Sequence, residues 1–159
     1  MPNAAIIFSM DKVDRKILAE LQLDGRLSLT DLAERVGLSL SPCHRRLRAL
    51  EESQAISGYR AQLDAGTLGL TFEALVFVTM RDGDRATVAA FEEAVAEIRH
   101  VLRAQRLFGD PDYLLQVVAK DVREFQGLYD EQLSALPGVQ RLSSTLVMKN
   151  VVENRPLPL

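Results

Sequence analysis

An α+β fold is predicted by three patterns in the sequence. Two stretches in its first part each run from a capping residue through helical periodicity to a glycine, and Leu38 alone separates the second glycine from the next cap candidate. Runs of β-formers then alternate with helical periodicity in the order strand, helix, strand, strand, helix, strand. A tight cluster of basic residues, "HRRLR" from His44, falls on the third helix. Together these predict an N-terminal three-helix helix-turn-helix domain followed by a ferredoxin-like β-α-β-β-α-β plait.

The first helix is expected in "MDKVDRKILAELQLDG". Asp11 can cap it, and Asp14 stands three positions on, near the positive helix end. Val13, Ile17, Leu18 and Leu21 recur at helical spacing, and Gly25 is expected to stop the helix. The second helix follows Ser28, with Asp31 at capping-box spacing. Leu29, Leu32, Ala33 and Val36 line one side, and Gly37 ends it. Ser39 is the cap candidate for a third helix over about 40–53, with Pro42 in the first turn, where a missing N–H costs little.

On a helical wheel, Cys43, Leu47 and Leu50 of the third helix form the stripe expected to be buried. Ser41, His44, Arg45 and Arg48 share the opposite face. Arg46 lies beside the buried stripe and is expected to pair with a carboxylate of a neighbouring helix. A recognition helix lays such a face in the major groove, where arginine meets guanine O6 and N7 or a phosphate. Ser41, His44, Arg45 and Arg48 are therefore the candidate contacts to double-stranded DNA. Charge alone would suit a solvated helix face equally well. The two preceding helices and the one-residue turn favour DNA.

The second half begins with "ISGYRAQL", expected as a short strand, and a turn-rich connector. "FEALVFVTM" (72–80) reads as a strand. Asp84 caps a helix with Val88, Phe91, Val95 and Ile98 inward. "HVLRAQRLF" and "DYLLQVVAK" are strands around a hairpin-type turn at "GDP". Asp121 and Glu124 form another capping-box pattern. Its helix is expected to turn Val122, Phe125, Leu128, Tyr129, Leu133 and Leu136 inward, until Pro137-Gly138. A last strand is expected over about 139–149. The domain plan is then an extension over 1–9, the helix-turn-helix over 10–57, a linker strand and turn over 58–71, the plait over 72–150 and a tail over 151–159. The first strand interleaves Leu75 and Phe77 with its other apolar set, so both sheet faces are partly apolar. That predicts face-to-face dimerisation.

The chain has 159 residues, 47% of them apolar and 26% charged, with a net charge of −3. Residues 10–60 carry nine Lys/Arg and eight Asp/Glu; residues 61–159 carry ten and fourteen. The local balance thus runs from +1 to −4, and only charge placement can argue for nucleic acid. No apolar run is long enough to span a bilayer, and no basic residue precedes the apolar patch at the start, which makes a poor secretory signal. Met10 offers an alternative start. Cys43 is the single cysteine, so a reducing cytoplasm is expected, with no intrachain disulfide. No metal-ligand spacing, phosphate-binding glycine loop or nucleophile elbow appears. No catalytic residue, metal or cofactor is expected.

The stretches "DKVDRKILAELQLDGRLSLTDLAERVGLSLSPCHRRLRALEE", "ISGYRAQLD", "FGDPDYLLQV" and "LPGVQRLSSTLVMK" together resemble the Lrp/AsnC (leucine-responsive, feast/famine) transcriptional regulators. The Ser-x-Ser-Pro-Cys start of the third helix and the Gly-Asp-x-Asp-Tyr-Leu turn are specific as a pair. The resemblance implies a sequence-specific DNA-binding regulator whose assembly or DNA affinity responds to an amino acid or related effector. It also implies homodimers, often assembled to octamers. By position, it points to Gly109, Asp110 and Asp112 in the turn, Val122 at the following helix, and Thr145, Leu146 and Val147 on the last strand as effector-binding. Asp112 is expected to accept from an α-ammonium. Arg106, where an apolar residue is common, and Thr145, where an aromatic stands in the leucine-responsive type, leave the side-chain preference open. The alternative on a similar architecture is a siroheme-decarboxylase-like enzyme. Against it, the second half offers only His100 among histidines, and the arginine-bearing helix would lack a purpose.

Overall fold

A computed structural model describes residues 10–81 and 83–159. The expected extension at 1–9 lies outside the described residues. The chain forms two compact units, one holding residues up to Gln62 together with Val152–Leu159, the other Leu63–Val151.

The helical unit contains α1 (Lys12–Leu23), α2 (Leu29–Val36) and α3 (Leu40–Glu52). Asp11 caps α1 in a full capping box. Its carboxylate accepts from the Val13 and Asp14 N–H groups, while the Asp14 carboxylate accepts from the Asp11 N–H. The helix ends at Leu23 with Asp24 as its cap, one residue before Gly25. At α2, Ser28 accepts from the Asp31 N–H, but Asp31 takes the Ser28 hydroxyl at 2.6 Å instead of reaching back to the backbone. Asp is one methylene shorter than the Glu that usually closes the box. Gly37 turns the chain at φ 75°, in the left-handed region that glycine enters without strain. Ser39 occupies the cap position of α3, yet its side chain accepts no capping bond.

Ile17, Leu18, Leu32, Ala33, Val36, Cys43 and Leu50 form the core of this unit. Ile17, Leu32 and Leu50 are almost wholly buried, each contributing about 1.5–3 kcal/mol of hydrophobic stabilisation. The last residues join this unit through Leu157, which donates its N–H to Gln22 Oε1 at 2.6 Å and accepts from Gln22 Nε2 at 3.3 Å.

The second unit contains β1 (Phe72–Met80), α4 (Arg85–Ala96), β2 (Val101–Arg106), β3 (Tyr113–Ala119), α5 (Val122–Leu128) and β4 (Val139–Leu146). The strands form one antiparallel sheet in the order β2-β3-β1-β4, the topology of a ferredoxin-like plait. Strand alternation sends Ala74, Val76, Val78 and Met80 of β1 to the buried face, with Leu115 and Val117 of β3. Phe91 and Val95 of α4 and Leu133 and Leu136 after α5 complete the core. Asp84 caps α4 as expected, accepting from the Ala86 and Thr87 N–H groups.

Four expectations are corrected. Residues 56–63 form no strand, because none of their backbone groups joins a ladder. An alternating pattern makes a strand only where a neighbour accepts its hydrogen bonds. The helix after Asp121 is not continuous: α5 passes at Tyr129–Leu133 into a π turn, whose wider spacing still buries Leu133. Val122, expected inward, is 65% exposed, because it stands in the first turn beyond the sheet end that covers Phe125 and Leu128. Finally, β4 stops at Leu146. Val147 adds one bond, its N–H donating to the Glu73 carbonyl at 2.9 Å, and the strand opposite ends there.

Candidate nucleic-acid interface and effector region

On α3 the wheel is realised side chain by side chain. Cys43 and Leu50 are fully buried, and Leu47 packs on the same cluster. Burial raises the Cys43 thiol pKa, so the group stays protonated and behaves as a small hydrophobe. Arg46 is pinned to α1, with its Nη1 2.8 Å from Asp14 Oδ1 and 2.7 Å from Asp11 Oδ2. The bond to Asp14, then that to Asp11, raises the Arg46 pKa further. Asp14 is 4% exposed, so the pair holds the rotation of α3 about its axis from inside the unit. Ser41, His44, Arg45 and Arg48 are all exposed. Among the described residues, neither Arg45 nor Arg48 enters an ion pair. One arginine of the cluster therefore orients the helix, and two present their guanidinium groups outward.

The effector candidates fall into two groups at opposite ends of the sheet. Arg106, Gly109, Asp110 and Asp112 surround the β2–β3 turn, beside the C-terminal end of β1: the Asp112 N–H donates to the Val78 carbonyl at 2.9 Å. Thr145, Leu146 and Val147 lie beside the N-terminal end of β1, opposite Leu75, Ala74 and Glu73. Val122 belongs to this second end, where it lines a shallow cleft with Phe125, Gln126, Tyr129 and Ser144. Alternation sends Thr145 to the open sheet face and Leu146 to the helix-covered one. One chain alone does not bring the two groups together.

Asp112 has a structural engagement. Its Oδ2 accepts the Met80 N–H at 2.7 Å, which ties the turn to β1. Arg106 stands 3.8 Å from Glu92, whose carboxylate also accepts the Tyr113 hydroxyl at 2.7 Å. Burial, then this bond, pushes the Tyr113 phenol up to about 12. Asp110 is free of the fold by comparison. It meets Arg141 of β4 at 3.7 Å and accepts from the Thr79 hydroxyl at 3.2 Å. Arg141 and Thr79 were not among the sequence candidates. They are cross-strand neighbours joined by register, 62 positions apart, and no local pattern marks them.

Residues 73–157 match the model of the Lrp/AsnC ligand binding domain, and residues 10–56 match a winged helix-turn-helix DNA-binding model. No strand follows α3 among the described residues of the helical unit. The chain is 39% identical over 150 residues to the Bkd operon transcriptional regulator of Pseudomonas aeruginosa, covering 94% of this chain and 98% of that one. It is 42% identical over 144 residues to the proline dehydrogenase transcriptional activator of Rhodobacter capsulatus, covering 91% and 94%. A transcriptional regulator of Neisseria meningitidis, solved as an L-Met complex, superposes with a TM-score of 0.90 at 36% identity, covering 94% and 97%. These matches set aside the enzyme alternative. A reading head built on α3 and a plait spanning the matched ligand-binding region leave one assignment: the chain belongs to the Lrp/AsnC family and is a DNA-binding transcriptional regulator.

Proposed function

We propose that the protein reads duplex DNA through Ser41, His44, Arg45 and Arg48, and that an amino acid or related small effector shifts its assembly or DNA affinity. The observation that carries the first part is the division of labour on α3. Arg46 is held by Asp11 and Asp14, while Arg45 and Arg48 point outward without ion-pair partners among the described residues. The effector part is supported by the solved relative that holds L-Met. In this reading Gly109, Asp110 and Asp112, with Arg106 nearby, form one wall of the effector site. Val122, Thr145, Leu146 and Val147 of a neighbouring copy form the other, since a single chain keeps these groups at opposite sheet ends. Leu75, Phe77 and Leu114 share the open sheet face, which supports a homodimer, and pairs of dimers would assemble toward an octamer. The expected compartment is the cytoplasm; among the described residues no helix is long and apolar enough to cross a membrane.

The test is a gel-shift titration on an operator selected from genomic fragments, with and without each amino acid. Arg48→Ala is expected to lose about 1–3 kcal/mol of specific affinity if it meets a base. Equal affinity of the variant and the wild type would remove α3 from the interface. An operator affinity that no amino acid changes, together with unchanged sedimentation, would remove the effector.

A further inference from the structure

The helical unit is held from two directions along the chain. It comprises residues up to Gln62 and, after the whole plait, Val152–Leu159. The outgoing segment is fastened by Tyr59. Its hydroxyl donates to Glu51 Oε1 of α3 at 3.0 Å, and its ring lies beside Gly25, where an added Cβ would stand 3.6 Å from it. The returning segment is fastened at Leu157. Gln22, in the last turn of α1, accepts the Leu157 N–H at 2.6 Å and donates to the Leu157 carbonyl at 3.3 Å. Both fastenings therefore fall at the C-terminal end of α1. The sequence Arg155-Pro156-Leu157-Pro158-Leu159 suits the second one. Proline has no N–H, so Leu157 offers the one donor between Pro156 and Pro158, and the register is set. Each proline ring fixes φ, so the segment loses less conformational freedom on docking than a flexible tail would. Leu157 is 71% exposed, so its backbone rather than its side chain makes the contact.

We propose that residues 152–159 are a strap that positions the reading head. By tying α1 to the end of the plait's last strand, the strap limits the swivel of α3 about the linker and so sets the half-site spacing that a homodimer accepts. α1 passes the restraint to α3 in two ways. Ile17 and Leu18 pack in one cluster with Cys43 and Leu50, and Asp11 and Asp14 hold Arg46. A head joined through one segment samples many orientations, and a second attachment on the same body removes most of them. The tail belongs to the same chain, so its docking is intramolecular and needs only a weak contact. Two hydrogen bonds in exposed surroundings are such a contact. Gln22 and Leu157 are thus positioning residues, since neither lies on α3.

The inference rests on the reading above, in which a homodimer meets DNA through α3. Gel shifts with the full chain compare a selected operator with versions whose half-site separation is changed by about two base pairs, which turns one half-site by roughly 70° around the duplex. The wild type is expected to bind the altered operators about ten-fold or more weaker, because both heads no longer engage together. Gln22→Ala removes both bonds, and Leu157→Pro removes the donor while keeping an extended tail. Both are expected to lose most of that discrimination with an unchanged melting temperature. Gln22→Glu keeps the acceptor for the shorter bond and is expected to keep the wild-type discrimination. Full discrimination in both Gln22→Ala and Leu157→Pro overturns the strap and leaves the α3 reading standing. A uniform loss at every spacing, in step with a lower melting temperature, assigns the contact to stability alone and also overturns it. A wild type indifferent to spacing overturns the strap and the paired half-sites together, while the loss in Arg48→Ala still reports on α3 by itself.

Discussion

The two units place their working residues in opposite ways. In the helical unit, the candidate DNA contacts are Ser41, His44, Arg45 and Arg48, all on one helix and within three turns. In the plait, Thr79, Asp110 and Arg141 come from β1, a turn and β4, and they meet only because the strands pair in one register. A helix presents a face through local geometry, since every fourth residue returns to the same side. A sheet presents one through long-range pairing, and a one-residue slip would reverse every side chain. In the helical unit the candidate contacts thus depend on a single element. In the plait the surface is assembled from distant segments.

The glycines that turn the chain in each unit sharpen the contrast. Gly37 and Gly138 have nearly the same backbone, φ 75° and 70°. A Cβ on Gly37 would meet nothing, whereas one on Gly138 would overlap Thr87 and Met80. Gly138→Ala is expected to cost about 2–6 kcal/mol, from left-handed strain plus overpacking. Gly37→Ala is expected to cost only about 1–2 kcal/mol. Chemical denaturation of both variants checks this; equal losses would mean that strain alone decides and the crowding at Thr87 relaxes freely.

The core of the helical unit is tested next through Cys43. Cys43→Ser buries a hydroxyl beside Leu47 and Leu50 and is expected to cost about 1–3 kcal/mol. The native thiol should react with a labelling reagent far more slowly than in the unfolded chain. Labelling at the unfolded rate would place Cys43 on the surface and break the assignment of the outward face.

Arg46 and Arg48 separate orientation from contact on the same helix. Arg46→Ala leaves the buried Asp14 carboxylate without its cation, so it should lower the melting temperature and weaken DNA binding together. Arg48→Ala should leave melting unchanged. Differential scanning fluorimetry alongside the gel shift distinguishes them, and matching melting curves for the two variants would show that the Asp14 pair does not position α3.

The smallest expected effect is in pH dependence. The Asp11 carboxyl lies below its ordinary value of 3.8, chiefly because the Asp14 N–H donates to it, with Arg46 and Val13 adding to the effect. Its cap contributes fully above the ordinary carboxylate range and is lost as pH falls through the depressed value. Tyr113 lies at about 12, so its contribution is complete below the ordinary phenol value of 10.0 and fades as pH rises through about 12. Acid should therefore loosen the start of α1, and strong alkali the Tyr113–Glu92 contact in the plait. Circular dichroism of Asp11→Ala across the acid range checks the first: a variant with the wild-type acid transition would show that the cap plays no part in it.

Much of the reading head was legible from its residues. Asp11 and Ser28 cap where expected, Gly37 turns the chain, and Cys43, Leu47 and Leu50 face inward, leaving Arg46 for a neighbouring helix. Each of these rests on contacts within one or two turns, except the Arg46 pair, which the wheel angle alone foretold. The plait was legible in its order of elements and in the inward residues of α4. It was not legible where a segment needed a distant partner. The pattern at 56–63 suits a strand, but no ladder receives it.

What the sequence by itself determined is the set of local elements and the outward face of α3, because caps, turns and helical stripes are settled by residues a few positions apart. It also carried the family, through motifs that lie in contiguous stretches. Only the tertiary structure decided which strands are neighbours and in what register. That register separates Asp112 from Thr145 and Val147, engages Asp112 with Met80, and sets Arg141 beside Asp110 and Thr79. The physical reason is that strand pairing is chosen by the packing of both sheet faces over the whole unit, and no window of sequence contains that competition.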